Sequence, residues 1–552
     1  MTPAGARSPL CLAALALGLG TSWGASWAAA AQEPPVPPPT EDAAPPAARL
    51  PDTRAVDDPG AQAAPWVDAW RALSAAQADG ARAARLLDLV DRVLAYDSLP
   101  ERHRALAQFL RAAALVRAGE PEAARALLWR LYDDGRHYPD GLITLLQLER
   151  QLGGVAGEGR ALTALARTYP FAAQKLNPAY AVSVLGRLHR AAEAGELPAR
   201  QADQPPRHLA LLDALYKAGV EPVTAEGLSP DFFYEDLIAH YVDRGDLAAA
   251  RRLALRVRSY RVLVDLKIDR RFEPLWGVVD ALVVPDLAAA GRKALAHARE
   301  QAARLPDAPA AQLRLVEELI RVGDFAGALE DARIALARFG DGGDEKSLYF
   351  LDNMIVYALV ALGRDDAARE RMAELLDLDL ATHPDVLNQW INYGFVLADL
   401  GDADAAIDLA RRARAQQVNP LSPYGAGFVR AVEVCALDLL DREDESAETM
   451  AWFDANPMVN AEATAYALAC RGDDAGLAAL FKARLADPEQ RGPALRTLSA
   501  HRINGPTDGA IHARVFAALD RLRADPEVMT AARAAGRLTD QPLDLAFVNA
   551  LE

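Results

Sequence analysis

Nine histidines punctuate the chain at positions 103, 137, 189, 208, 240, 297, 383, 501 and 512, and their spacing denies them the simplest shared chemistry. No two stand four residues apart, the separation that would set two imidazoles on one helix face for a metal. No G-x-S-x-G elbow, phosphate-cradling glycine loop or dinucleotide fingerprint occurs either. No catalytic residue, metal site or cofactor is therefore expected. What the residues do offer is charge. The segment RRLALRVRSYRVLVDLKIDRRF, 251 to 272, sets eight Arg and Lys against Asp265 and Asp269 inside a chain of formal net charge −17. Arg256, Arg258, Arg261, Lys267, Arg270 and Arg271 form a candidate anion-binding patch for acidic peptide, lipid headgroup or anionic envelope polymer. The plainer alternative is a solvated helix face paired with acids on neighbouring elements. Nucleic acid is excluded as a partner, because a phosphate backbone demands a surplus of cations.

Two of the three cysteines, Cys435 and Cys470, lie in the helical region. Cys435 stands seven residues before the turn at Arg442 and Cys470 two before Gly472. On parallel neighbouring helices those offsets differ by five residues, about 7 Å along the axis at 1.5 Å per residue. A disulfide needs Cα atoms within about 7 Å overall, so no bond is expected and Cys435 reads as a packed thiol.

The elements that must position these groups are helices. From Trp66 onward, helical runs alternate with short polar turns, and no series of period-2 strands is found. Several turns share one form: Gly ends a helix, an acidic residue often follows, and Ala stands five residues after the Gly. AGEPEAARALL from 118, RGDLAAARRLAL from 244, VGDFAGALEDARIALARF from 322, LGRDDAARERMAELL from 362 and LGDADAAIDLARRARA from 400 all show it. Glycine takes a positive φ at no steric cost, the following Asp suits the positive end of the next helix, and the alanine allows close approach of paired helices. Repetition of this kind marks an array.

Residues 387 to 420, LNQWINYGFVLADLGDADAAIDLARRARAQQVNP, resemble a tetratricopeptide (TPR) repeat, with Trp390, Gly394, Leu397, Gly401, Ala406, Ala413 and Pro420 at the signature places. GDFAGALEDARIALARF, from Gly323, resembles the second half of another. The turn glycines at 323, 363 and 401 are 40 and 38 residues apart, longer than the family's usual period of about 34. The resemblance implies an all-α fold, an α-solenoid of antiparallel helix pairs wound into a right-handed superhelix, possibly in two arrays. It also implies that first helices line a concave face, on which Asn353, Tyr357, Asn388, Asn392 and Phe395 would meet a protein or peptide partner. The family's carboxylate clamp is not matched, since Ile391 and Phe395 stand where its Lys and Asn would be.

The N-terminus reads differently. Arg7, the apolar LCLAALALGLG and the small-residue ASWAAAAQ suggest a secretory signal peptide over 1–31, followed by a Pro/Ala-rich disordered linker over 32–64. The expected order continues with an N-terminal helical-repeat array (65–270), an irregular break (271–290), a TPR-like array (291–489) and a C-terminal helical cap (490–552). The implied protein is periplasmic or secreted, without stable membrane insertion after signal cleavage. It would be an exported scaffold rather than an enzyme. The alternatives are a cell-envelope enzyme and a polysaccharide-export accessory using the 251–271 segment.

Overall fold

The computed structural model describes residues 80–95, 101–152, 154–193, 197, 207–220, 231–340, 345–416, 421–501 and 509–541. The expected signal peptide and linker lie outside them. The fold is all-α: among the described residues there are 26 α-helices, with two-residue strands as the only named β elements. No single helix among them is long and apolar enough to cross a membrane.

The chain divides into two compact units near residue 224. The first holds α1 (Gly80–Leu94), α2 (Glu101–Arg117), α3 (Pro121–Asp133), α4 (Pro139–Gln151), α5 (Val155–Thr168), α6 (Pro170–Ala173), α7 (Pro178–Glu193) and α8 (Arg207–Lys217). The second begins with α9 (Asp231–Asp243), α10 (Leu247–Ala254), α11 (Tyr260–Ile268), α12 (Trp276–Leu282) and α13 (Leu287–Arg304). It continues with α14 (Pro309–Arg321), α15 (Phe325–Phe339), α16 (Glu345–Ala361), α17 (Asp365–Leu376), α18 (Leu387–Asp399), α19 (Ala403–Ala415) and α20 (Pro423–Leu439). Last come α21 (Glu443–Ala455), α22 (Ala461–Arg471), α23 (Asp474–Ala486), α24 (Arg491–Leu498), α25 (Ala510–Ala524) and α26 (Pro526–Ala535). Strand β1 (Ala500–His501) pairs in parallel with β2 (Asp540–Gln541).

The turn grammar is realised. Gly119, Gly245, Gly323, Gly363 and Gly401 all have positive φ, and Ala124, Ala250, Ala328, Ala368 and Ala406, five residues after each, are all 0% exposed. Capping is less uniform. Asp246 and Asp324 accept from the backbone N–H three residues on, whereas Asp402 makes no such bond and accepts instead from Arg369 Nε at 2.7 Å. At the next turn the positive φ falls on Asp441, and the small residue five on is Ser446, fully buried. Replacing Ala406 with Leu should overpack the α18–α19 contact and cost about 1–3 kcal/mol, measurable as a shift in the urea midpoint. At Gly394 a Cβ would stand 2.8 Å from Val432 Cγ1 on α20. The glycine therefore sets the approach of α18 to the next hairpin.

From α14 to α21 each helix packs on its successor, as do the helices from α22 onward, and α14, α16, α18, α20 and α22 also pack in series on one another. Two expectations need correction here. The expected break at 271–290 does not divide the chain. It forms a 3-10 turn (Arg270–Leu275) and α12 inside the second unit, and the segment around Gly536 and Arg537 packs against it. Asp269 bridges Gly536, Arg537 N–H donates to the Ile268 carbonyl at 2.7 Å, and Arg537 pairs with Asp280 at 3.1 Å while lying 3.7 Å from the Trp276 ring centre. The apolar, proline-bearing segment that reads as an interruption is a docking post.

The second correction concerns the cysteines. Cys435 and Cys470 form a disulfide with Cα atoms 5.1 Å apart. The expected five-residue offset assumed that α20 and α22 end level, but α22 is displaced by about a turn. Asn460 Nδ2 donates to the Tyr424 carbonyl at 2.9 Å, and a Cβ on Gly427 would meet Asn460 and Ala463. The two helices are therefore matched at an offset near 35 residues, although their turn residues, Asp441 and Gly472, are only 31 apart. That slide brings the sulfurs level, and glycine and alanine at the seam bring them close.

The tail from Arg491 does more than cover a last hairpin. Helix α25 packs on α18, α20, α22 and α23. Asp399, at the end of α18, accepts from the Ile511 and His512 N–H groups at 2.8 and 2.9 Å and from the His512 ring. Arg514 donates to the Cys470 carbonyl at 3.1 Å and the Asp438 carbonyl at 3.2 Å. One helix thereby satisfies backbone groups at the C-terminal ends of two others, groups that a helix leaves unpaired.

Candidate functional site

Two sets of buried polar side chains in the second unit stand apart from the others. The first lies on α16 and α18. Asn353, Gln389 and Asn392 are each 0% exposed, and none of their six amide atoms has a protein hydrogen-bond partner. Around them, Tyr357 is buried, Asn388 is half-buried, and Phe395 packs with ring centres 6.3 Å from Phe428 and 5.1 Å from Tyr466. Of the five residues expected on a concave face, four are therefore buried within helix contacts. Only Asn388 is reached readily from outside.

The second set lies where the unit's first helices meet its last. Asp265 on α11 pairs with Arg496 on α24, both buried, across a separation of 231 residues. On α22, Glu462 accepts a hydrogen bond from Tyr424 Oη at 3.1 Å and stands 3.9 Å from Arg484 of α23. Arg484 is completely buried, with Phe481 stacked at 5.0 Å. Burial raises the pKa of Glu462 against the pull of Arg484, Arg261 and Arg496. Burial likewise lowers that of Arg484, which Glu462 partly restores. Glu235 of α9 is half-buried and is pushed up to about 8, first by burial and then by the charge of Asp265.

The Glu235 shift has a sign that can be tested. A carboxyl whose native pKa exceeds its unfolded value holds its proton more firmly in the native state. Its contribution favours folding at low pH and is lost as pH rises from the usual 4.5 toward about 8. The thermal midpoint should decline across that window, and Glu235→Gln should flatten the decline in a pH series of melts.

The 251–272 cations do not form one patch. Lys267 pairs with Asp280 at 2.5 Å and Arg271 with Asp243 at 3.0 Å. Arg270 donates to the Arg533 carbonyl at 3.2 Å, Arg258 to the carbonyls of Leu255 and Val257, and Arg256 lies 5.6 Å from the Tyr234 ring centre. Of these, the Lys267 and Arg271 pairs are with acids on neighbouring elements. Arg261 acts on the carboxyls of Glu462 and Glu235, drawing the pKa of each down against burial.

Glu462, Arg484, Arg496, Asp265, Tyr424 and Glu235 were not among the candidates drawn from the sequence. A signal existed in AEATAYALAC, where one acid interrupts a run of small apolar residues, and in LFKARLA, where Arg484 falls on the apolar stripe. Among the described residues no group of three or more His, Cys, Asp or Glu is placed to hold a metal. The fold and these two sets describe an all-α protein whose unusual chemistry is buried polarity. No protein-family model matches the chain and no curated protein matches it significantly.

Proposed function

We propose that the chain is an exported helical-repeat binding protein of the bacterial cell envelope, of TPR-like α-solenoid type, that holds a peptide segment of a protein partner. The observation that supports this is the trio Asn353, Gln389 and Asn392, fully buried on neighbouring helices with six amide atoms unpartnered by protein. Leaving a buried donor or acceptor unsatisfied costs about 1–3 kcal/mol. An extended peptide presents N–H and C=O groups in alternation, which side-chain amides can meet from either side. Separation of α16 from α18 would admit it, with half-buried Asn388 at the point of entry.

A photo-crosslinking amino acid at Asn388, in the full chain expressed in its native envelope, tests the reading. An adduct to one protein is expected, mapping to a contiguous segment and disappearing in Asn353→Leu/Asn392→Leu. That pair substitutes apolar groups of similar shape, so the fold should be kept or strengthened. No adduct, or one indifferent to the pair, rejects the peptide reading.

A further inference from the structure

We propose that the Arg484 cluster is a binding site for an oxyanion, the carboxylate or phosphate group of a small ligand. All three guanidinium nitrogens of Arg484 lack a protein hydrogen-bond partner although the side chain is 0% exposed. The nearest carboxylate, Glu462, stands 3.9 Å off, beyond hydrogen-bond reach, and its other oxygen is occupied by Tyr424 at 3.1 Å. A buried cation held by attraction alone is expensive, because its N–H donors have left water without replacement. Phe481 lies at the guanidinium's side, so the planar fork is held in place, and that fork is the group best matched to two oxygens of a carboxylate or phosphate.

Two further cations belong to the cluster: Arg261 and Arg496, with Arg484, pull the pKa of Glu462 down against its burial. Glu235, Arg261 and Tyr424 are each half-buried, so the edge of the cluster meets solvent although Arg484 itself does not. These residues are distinct from the amide trio, and the inference does not rest on the peptide reading.

The test is calorimetric titration of the full chain with inorganic phosphate and, separately, succinate, at constant ionic strength set with chloride. One probe should bind saturably and raise the melting midpoint, and which one does so separates phosphate from carboxylate recognition. Arg484→Lys keeps the charge but loses the fork, and should weaken binding about tenfold or more. Arg258→Glu, at an exposed position, should leave it unchanged. Should Arg484→Lys not fold, Tyr424→Phe is read instead: it frees the Glu462 oxygen to compete for Arg484, and weaker binding is again expected. Saturation by neither probe, or undiminished affinity in the variant that folds, overturns the proposal. Unchanged binding in Asn353→Leu/Asn392→Leu would show that this site stands whatever becomes of the peptide reading.

Discussion

Loss of the Cys435–Cys470 bond should lower the unfolding free energy of the second unit by about 3–4 kcal/mol, the loop-closure value for a bridge across some 35 residues. The bond staples α20 to α22 at a seam of small residues, and both cysteines are buried. Cys435→Ala/Cys470→Ala should therefore fold to the same helix content but unfold at lower urea concentration. Thiol titration of the native chain without reductant should find neither cysteine reactive. The effect should also reach beyond the two bonded helices. Arg514 caps the carbonyl of Cys470 itself, so local opening there loosens α25, and accelerated amide exchange over 510–524 should accompany reduction. Unchanged stability with full thiol reactivity would show the pair to be free.

Removal of one partner from the Asp265–Arg496 pair should be about as costly. Asp265→Leu leaves a buried guanidinium without its carboxylate, and breaking a buried pair from one side costs about 3–5 kcal/mol. The double variant Asp265→Leu/Arg496→Leu should recover a large part of that loss, because the desolvated charge disappears with its partner. Urea unfolding of the four forms in a double-mutant cycle supplies the measurement. If the double variant is as unstable as the sum of the singles, the pair has no coupling and the contact between α11 and α24 is held by apolar packing alone.

Local grammar was the part of this fold legible in the chain. Gly401 must leave its helix, and Ala406 must sit where the next helix turns back. Both follow from sterics within a few residues, and both recur at 119, 245, 323 and 363. The sites were less legible because their members meet through space. Asp265 and Arg496 are 231 residues apart, and nothing in either neighbourhood names the other. The thiols were misjudged for the same reason: a slide of about one turn between α20 and α22 is set by Asn460, Gly427 and Tyr424 together, not by distance from a turn. The basic run from Arg251 to Arg271 shows the reverse, since clustering in sequence loosens where Lys267 and Arg271 pair with acids and Arg258 and Arg270 with carbonyls.

The seating of Arg537 and Gly536 against Ile268 and Asp280 changes how this unit must be made. In an open array a helix pair can settle as soon as its neighbour exists, and loss of the last repeat removes one interface. Here α11 and α12 are completed by residues more than 250 positions downstream, contacts of the long-range kind that slow folding. A ribosome or export channel that releases the chain from its N-terminus would deliver a tethered, incomplete intermediate until the final segment emerges. A stop codon before Arg537 should therefore cost the whole unit its cooperativity, not merely its end.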